Sequence, residues 1–456
     1  MTVITDKKKF EAAVPVFATD ARRADKLLES LPPAQRRWAR SCGFDGSPDT
    51  YVMLADAKGN AAGVLAGVRD PADPWALAFL PMKLPRGRYS LARGSVAIAP
   101  EHAAFAWDLG GYRFERYRKA KRAPAELQVE DSRRVAEALE MARAVRLVRD
   151  LVNTPSEDMG PQELSQAARE QAGLFGARFR EWVGDELLAE GFPAIHAVGR
   201  AAARAPRLIE IRWGNAKHPR LAIVGKGVCF DSGGLDIKGA EGMRLMKKDM
   251  GGAAHALALA RLVMQRRLPV DLQVLVPAVE NAISGNAYRP GDVVRTRKGH
   301  AVEIGNTDAE GRVILADALA YAAERNPATL VDFATLTGAA RIALGPELPA
   351  LFCNDEGLAS RIEAASEALQ DPLWRLPLWR GYRRLFSSEV ADFSNSGKSG
   401  FAGAIVAALF LEHFVPDAVR WAHLDVYAWN EAARPGRPAG GEAQALRAVL
   451  AAIAPD

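Results

Sequence analysis

Cysteine is nearly absent from this chain. There are three in 456 residues, Cys42, Cys229 and Cys353, far apart and with no CxxC pair. A disulfide framework or a thiolate zinc knuckle is therefore disfavoured, and a reducing compartment is expected. Long apolar runs are missing too. No stretch approaches the ~18 apolar residues that a membrane span needs. The longest, such as Phe401 to Phe410, hold small residues and suit buried helices. The N-terminus, MTVITDKKKF, has charge but no apolar h-region, so no secretory signal is expected.

A strong charge bias is also lacking. The 60 basic and 55 acidic side chains leave a net +5, which fits a solvated surface and gives nucleic-acid binding little support. The seven histidines are scattered and form no HExxH zinc helix. His255 in GGAAHALALA and His423 in WAHLD are expected in the core or in a supporting role. Two nucleotide signatures fail: Gly225-Lys226-Gly227 is followed by Phe230 where a dinucleotide fingerprint needs glycine. SNSGKSG at 394–400 would need glycine at 392, where the chain has Asp392.

What is present is the composition of a globular protein, 49% hydrophobic and 25% charged, long enough for two or three domains. Up to about residue 125, apolar runs such as Tyr51 to Leu54 and Trp75 to Phe79 alternate with Gly/Pro/Asp turns, as in a small α/β domain. The basic stretch YRFERYRKAKR, Tyr112 to Arg122, reads as a solvated connector, with a polyanion site as the alternative. Val135, Leu139, Ala142, Val145 and Val148 recur at helical spacing, which predicts a helix over 126–151. Beyond residue 160, Leu208 to Trp213, Leu221 to Val224, Leu272 to Val276 and Leu330 to Phe333 read as buried strands. Helices are predicted from Gly160-Pro161, over Ala253 to Gln265 and over Ile314 to Glu324. Strands separated by helices predict a parallel or mixed sheet covered on both faces.

Two segments carry the chemistry. GKGVCFDSGGLDIKGAEGMRLMKKDMGG, Gly225 to Gly252, begins where the strand LAIV ends, and functional loops in open α/β sheets sit at strand carboxyl ends. NTDAEGRVILADAL, Asn306 to Leu319, leads into a helix. Together they hold Lys226, Asp231, Lys238, Asp249, Asp308, Glu310 and Arg312. Each could be a surface charge. Brought close, however, the four carboxylates would repel unless cations neutralised them, and such sites suit Zn²⁺, Mn²⁺ or Mg²⁺. Gly233-Gly234 is expected to turn the backbone tightly and Gly251-Gly252 to precede a helix starting at Ala253.

These residues resemble the leucyl aminopeptidase (cytosol aminopeptidase) family. The resemblance rests on NTDAEGR at 306–312, GKGxxFDSGG at 225–234 and DMGGAA at 249–254, and runs from RDLVNTPSEDMGP near 150 to WAHLD near 425. It is looser in the N-terminal part, where GYRFERY carries it best. It implies a small macro-like N-terminal α/β domain at 1–125, a linking helix at 126–154 and a catalytic domain at 155–456 with a central mixed sheet flanked by helices. It further implies Asp231 and Glu310 as bridges between two divalent ions, zinc or manganese. Asp308 is implied as a ligand of one, through its backbone carbonyl as well, and Lys226 and Asp249 as ligands of the other. Lys238 and Arg312 would be the catalytic non-ligands, with bicarbonate held at Arg312 and Gly311. Met246, Thr335 and Gly338 would line a mainly apolar pocket for a leucine-like first residue. The segment after WAHL, DVYAWNEAARPGRPAGGEAQALR, departs from better-known members.

The implied activity is a cytoplasmic, homohexameric aminopeptidase acting on peptides. An added DNA-binding role and a phosphoesterase are the competing readings.

Overall fold

The computed structural model describes residues 2–454. The chain divides into two compact α/β units. One comprises residues up to 146 with 432–439, the other 147–431 and residues from 440 onwards.

The smaller unit is built on a six-stranded sheet in the order Val3–Ile4, Glu126–Gln128, Arg88–Leu91, Val14–Thr19, Ala61–Gly67, Tyr51–Ala55. Neighbours are parallel except the last pair. Trp107, on the helix Pro100–Gly110, is fully buried, and its indole N–H donates to Ala125 O at 2.8 Å. Tyr51 to Leu54 is a strand as expected. Trp75 to Phe79 is instead a run of turns entering the short helix Leu80–Lys83. Tyr112 to Arg122 is neither helix nor strand and is largely exposed apart from Tyr112.

The helix predicted over 126–151 spans Arg133–Asn153. Its apolar stripe is buried as read, but its start was misplaced. Glu126–Gln128 is drawn into the sheet between two parallel partners. The helix then begins after Ser132, whose hydroxyl accepts from Val135 N at 3.2 Å, an N-cap that the apolar periodicity does not register.

The larger unit carries a nine-stranded mixed sheet. Its order is Trp374–Arg375, Ala350–Cys353, Arg420–Asp425, Thr329–Ala334, Arg220–Gly225, Asp271–Asn281, Arg207–Gly214, Arg178–Val183, and Gly227–Asp231 pairs with the far half of Asp271–Asn281. The four strands Arg420–Asp425, Thr329–Ala334, Arg220–Gly225 and Asp271–Asn281 are mutually parallel. They are covered on both faces, which is why LAIV and its counterparts read as continuous apolar runs. The expected helices are present but begin earlier, at Gly251 and Glu310, so both glycines of the 251–252 pair lie inside the helix. Phe401, by contrast, is 83% exposed, and the buried helix of that run is Gly403–Glu412. No helix among the described residues is long and apolar enough to cross a membrane.

Register places the chemistry. Phe333 pairs with Gly225, Asp231 with Asn281 and Ala334 with Asp425, so Lys226, Asp231, Thr335 and Asp425 emerge together at the carboxyl ends of parallel strands. The helix Gly251–Gln265 lies on these strands at glycine contacts. A Cβ on Gly252 would stand 2.2 Å from Phe333 O, and one on Gly225 2.6 Å from Ala256 Cβ. Gly252→Ala is therefore expected to destabilise the protein by about 1–3 kcal/mol, read from denaturant midpoints at constant m-value. An unchanged midpoint would mean that this contact does not set the helix position.

Candidate metal centre

Lys226 is locked by its backbone before its side chain does anything. Its N–H donates to Phe333 O at 3.0 Å, and its carbonyl accepts from Ala253 N, in the first turn of the helix, at 2.8 Å. The buried ammonium then lies 2.8 Å from Asp249 Oδ2 and 2.8 Å from Glu310 Oε1, and donates to Thr335 O at 2.9 Å. Asp249 comes from the tight turn Met246–Met250, and its other oxygen accepts from Thr335 Oγ1 at 2.7 Å. Lys238 answers Lys226 on the far side. Its ammonium lies 2.8 Å from Asp231 Oδ2 and pairs also with Asp308.

Carboxylate oxygens of Asp231, Asp308 and Glu310 lie within 4.8 Å of one another. Two ammonium groups thus serve four carboxylates, a deficit of two positive charges. Its consequence is visible in the acids. Burial, then the charge on Asp231, pushes Glu310 up to about 8 and Asp308 to about 6. Burial by itself would lower both lysines, but the surrounding carboxylates outweigh it and hold both firmly protonated. Asp249 Oδ2, Asp308 Oδ1 and Glu310 Oε1 are buried with no well-aligned hydrogen bond. An oxygen-rich donor set short of positive charge fits hard or borderline divalent cations.

The loops holding these groups are stiff. Gly233 and Gly234 have φ of +89° and +66°, and a Cβ on Gly233 would lie 2.4 Å from Asp236 O. The expected tight turn is therefore real. Thr307 ties this turn to the second segment: its hydroxyl donates to Gly233 O at 2.6 Å and its N–H to Asp236 Oδ2 at 2.7 Å. Asn281 Nδ2 donates to Asp231 Oδ1 at 2.8 Å and to Thr307 O at 3.0 Å, so one amide fixes both carboxylate segments.

The cluster opens into a cavity of about 630 Å³. Six of the seven charged residues read from the two segments line it, as do Met246, Thr335 and Gly338. Arg312 is not on this wall. It is buried behind Glu310, with Nη1 donating to Asn395 O at 2.8 Å and Nε unpartnered, and burial lowers it to about 10. At Gly311, implied as part of a bicarbonate site, a Cβ would meet Lys226 Cε at 2.6 Å and Nζ at 2.7 Å. The wall expected to be mainly apolar also carries Lys248, Arg341, Asp425 and Tyr427. Lys248 is not among the charged residues singled out in the segment Gly225 to Gly252, and Tyr427 lies in the segment that departs from better-known members. Asn281 has no motif and becomes visible only through its pairing with Asp231. His255 and His423 are both fully buried. The first accepts from Gln444 N at 2.9 Å, and the second lies 2.6 Å from Asp332.

At its strand ends the parallel-centred α/β unit carries an acidic, lysine-bearing cleft whose carboxylates could hold divalent metal. The catalytic-domain model of the cytosol aminopeptidase family matches residues 146–450, and the model of the M17 aminopeptidase N-terminal domain matches 14–130. The chain belongs to the cytosol aminopeptidase family, peptidases whose activity is that of a metallo-aminopeptidase. It is 42% identical to a probable cytosol aminopeptidase of Roseiflexus castenholzii over 76% of this chain and 74% of that one. A crystal structure of the cytosol aminopeptidase from Coxiella burnetii matches with a TM-score of 0.95 at 49% identity, covering 99% of this chain and 98% of that one. The bottromycin maturation enzyme BotP in complex with Mn matches with a TM-score of 0.87 at 33% identity, covering 97% and 99%.

If Asn281 fixes the carboxylates, Asn281→Leu should weaken Mn²⁺ binding about 10–100-fold in a calorimetric titration. Undiminished affinity would deny it that role.

Proposed function

We propose that this chain removes the first amino acid of peptides at the acidic cleft with two divalent cations, Zn²⁺ or Mn²⁺. Asp231, Asp308 and Glu310 would hold one, and Lys226, Asp231, Asp249 and Glu310 the other. When bound, such ions supply a water of lowered pKa, polarise the scissile carbonyl and take the free α-amine of a peptide. The observation that carries this reading is the deficit of two positive charges among four carboxylates, three of them buried.

The chain's own residues have the following roles. Asn281 and Thr307 orient the carboxylates. Lys226, which pairs with Asp249 and Glu310, must lose its proton to solvent as the cation enters in order to act as a ligand beside them. Lys238 stays cationic and stabilises the oxyanion that develops on the carbonyl oxygen, a contribution of about 10²–10³ in turnover. Arg312, always charged at neutral pH, keeps a free Nε for a small oxyanion, and bicarbonate there would relay the proton to the leaving amine. Met246, Thr335 and Gly338 receive the first side chain. The homohexamer and the cytoplasmic location come from the family resemblance.

The test is hydrolysis of aminoacyl amides by chelator-stripped protein with Mn²⁺ or Zn²⁺ restored. Activity should require the metal, fail on N-acetylated substrates and fall at least about 10²-fold in Lys238→Met. Activity in the stripped protein, or on acetylated substrates, would contradict the proposal.

A further inference from the structure

Resting on the aminopeptidase reading above, we infer that the pocket beside the acidic cluster selects an acidic first residue, with Lys248 as the side chain that reads it. Lys248 sits in the turn Met246–Met250 between a pocket-lining methionine and Asp249. It is only 6% exposed and lines the cavity. Its ammonium lies over the ring of Tyr427, 4.7 Å from the centroid. Arg341 lies over the same ring at 5.0 Å and donates from Nη1 to Tyr427 Oη at 3.1 Å. Two cations therefore converge on one tyrosine in the wall of the cavity.

The carboxylates nearby are already engaged. Asp249 gives one oxygen to Lys226 and the other to Thr335 Oγ1. Asp425 accepts from Leu336 N at 3.0 Å, Thr337 N at 3.2 Å and Thr337 Oγ1 at 2.6 Å. Glu431 accepts from Tyr427 Oη at 3.3 Å. Among the described residues Lys248 makes no ion pair, and its side chain donates no hydrogen bond. The Lys248 ammonium faces the cavity without a protein acceptor, and covering it there with an apolar group is costly. A substrate side chain that ends in a carboxylate removes that cost, its methylenes lying against Met246 and the Tyr427 ring. A leucine side chain leaves the ammonium desolvated and unpaired, and a lysine side chain brings a third cation to the ring. A pocket built around an unmet donor discriminates against ligands that cannot meet it.

The experiment uses the metal-loaded full chain and the amides of glutamate, glutamine, leucine and lysine. Wild-type kcat/KM is expected to favour glutamate over leucine by at least about ten-fold, and over lysine by more. Lys248→Met should lower the glutamate-to-leucine ratio at least about ten-fold, and Lys248→Arg should keep it above one. A wild-type enzyme that cleaves the leucine amide as well as the glutamate amide overturns the inference. So does a ratio that Lys248→Met leaves unmoved, or a glutamine amide preferred to glutamate. If no amide is hydrolysed, the aminopeptidase reading fails by itself. Calorimetric binding of the same amides then decides the pocket: tighter binding of the glutamate amide, lost in Lys248→Met, supports the inference, and equal or tighter leucine binding overturns it.

Discussion

Four carboxylates share one small buried space with two lysines, and the rest of the catalytic unit is arranged around that imbalance. Like charges at this separation are tolerated only if cations arrive or protons stay on. The raised pKa values of Glu310 and Asp308 express the second option, and the proposed divalent ions the first. Lys226 stands at the junction of the two states, touching both Asp249 and Glu310. Gly311 is part of the same constraint, since any side chain there would strike the lysine stem.

Such a cluster can persist only on a stiff frame. The parallel strands bring Lys226, Asp231, Thr335 and Asp425 to one edge by register. The helix Gly251–Gln265 then seats on them through glycine contacts too close for a Cβ. Asn281 and Thr307 cross-link the two acidic loops with uncharged donors, adding order without adding charge. The stability of the sheet and the geometry of the site are thus one problem, solved by the same contacts.

Much of this was legible in the residues. The buried strands and the main helices follow from apolar runs and punctuation, and the two charged segments mark the cleft. What escaped depends on tertiary neighbours. Glu126–Gln128 reads as helix until two parallel strands claim it. Ser132 caps the helix, a boundary that the apolar stripe beginning at Val135 does not mark. Asn281 matters because it pairs with Asp231, a relation no motif contains. The expected apolar pocket left out Lys248, which no motif marks. Here the turn Met246–Met250 pulls one lysine onto Tyr427.

The family sets the reaction class, and the proposed selectivity rests on this chain's own wall residues. Both depend on whether the acidic cluster is completed by cations. The direct measurement is anomalous diffraction from crystals of the full chain grown with Mn²⁺. The account predicts two peaks, one enclosed by Asp231, Asp308 and Glu310 and the other beside Lys226 and Asp249. Crystals with saturating Mn²⁺ but no peak among these oxygens would contradict it.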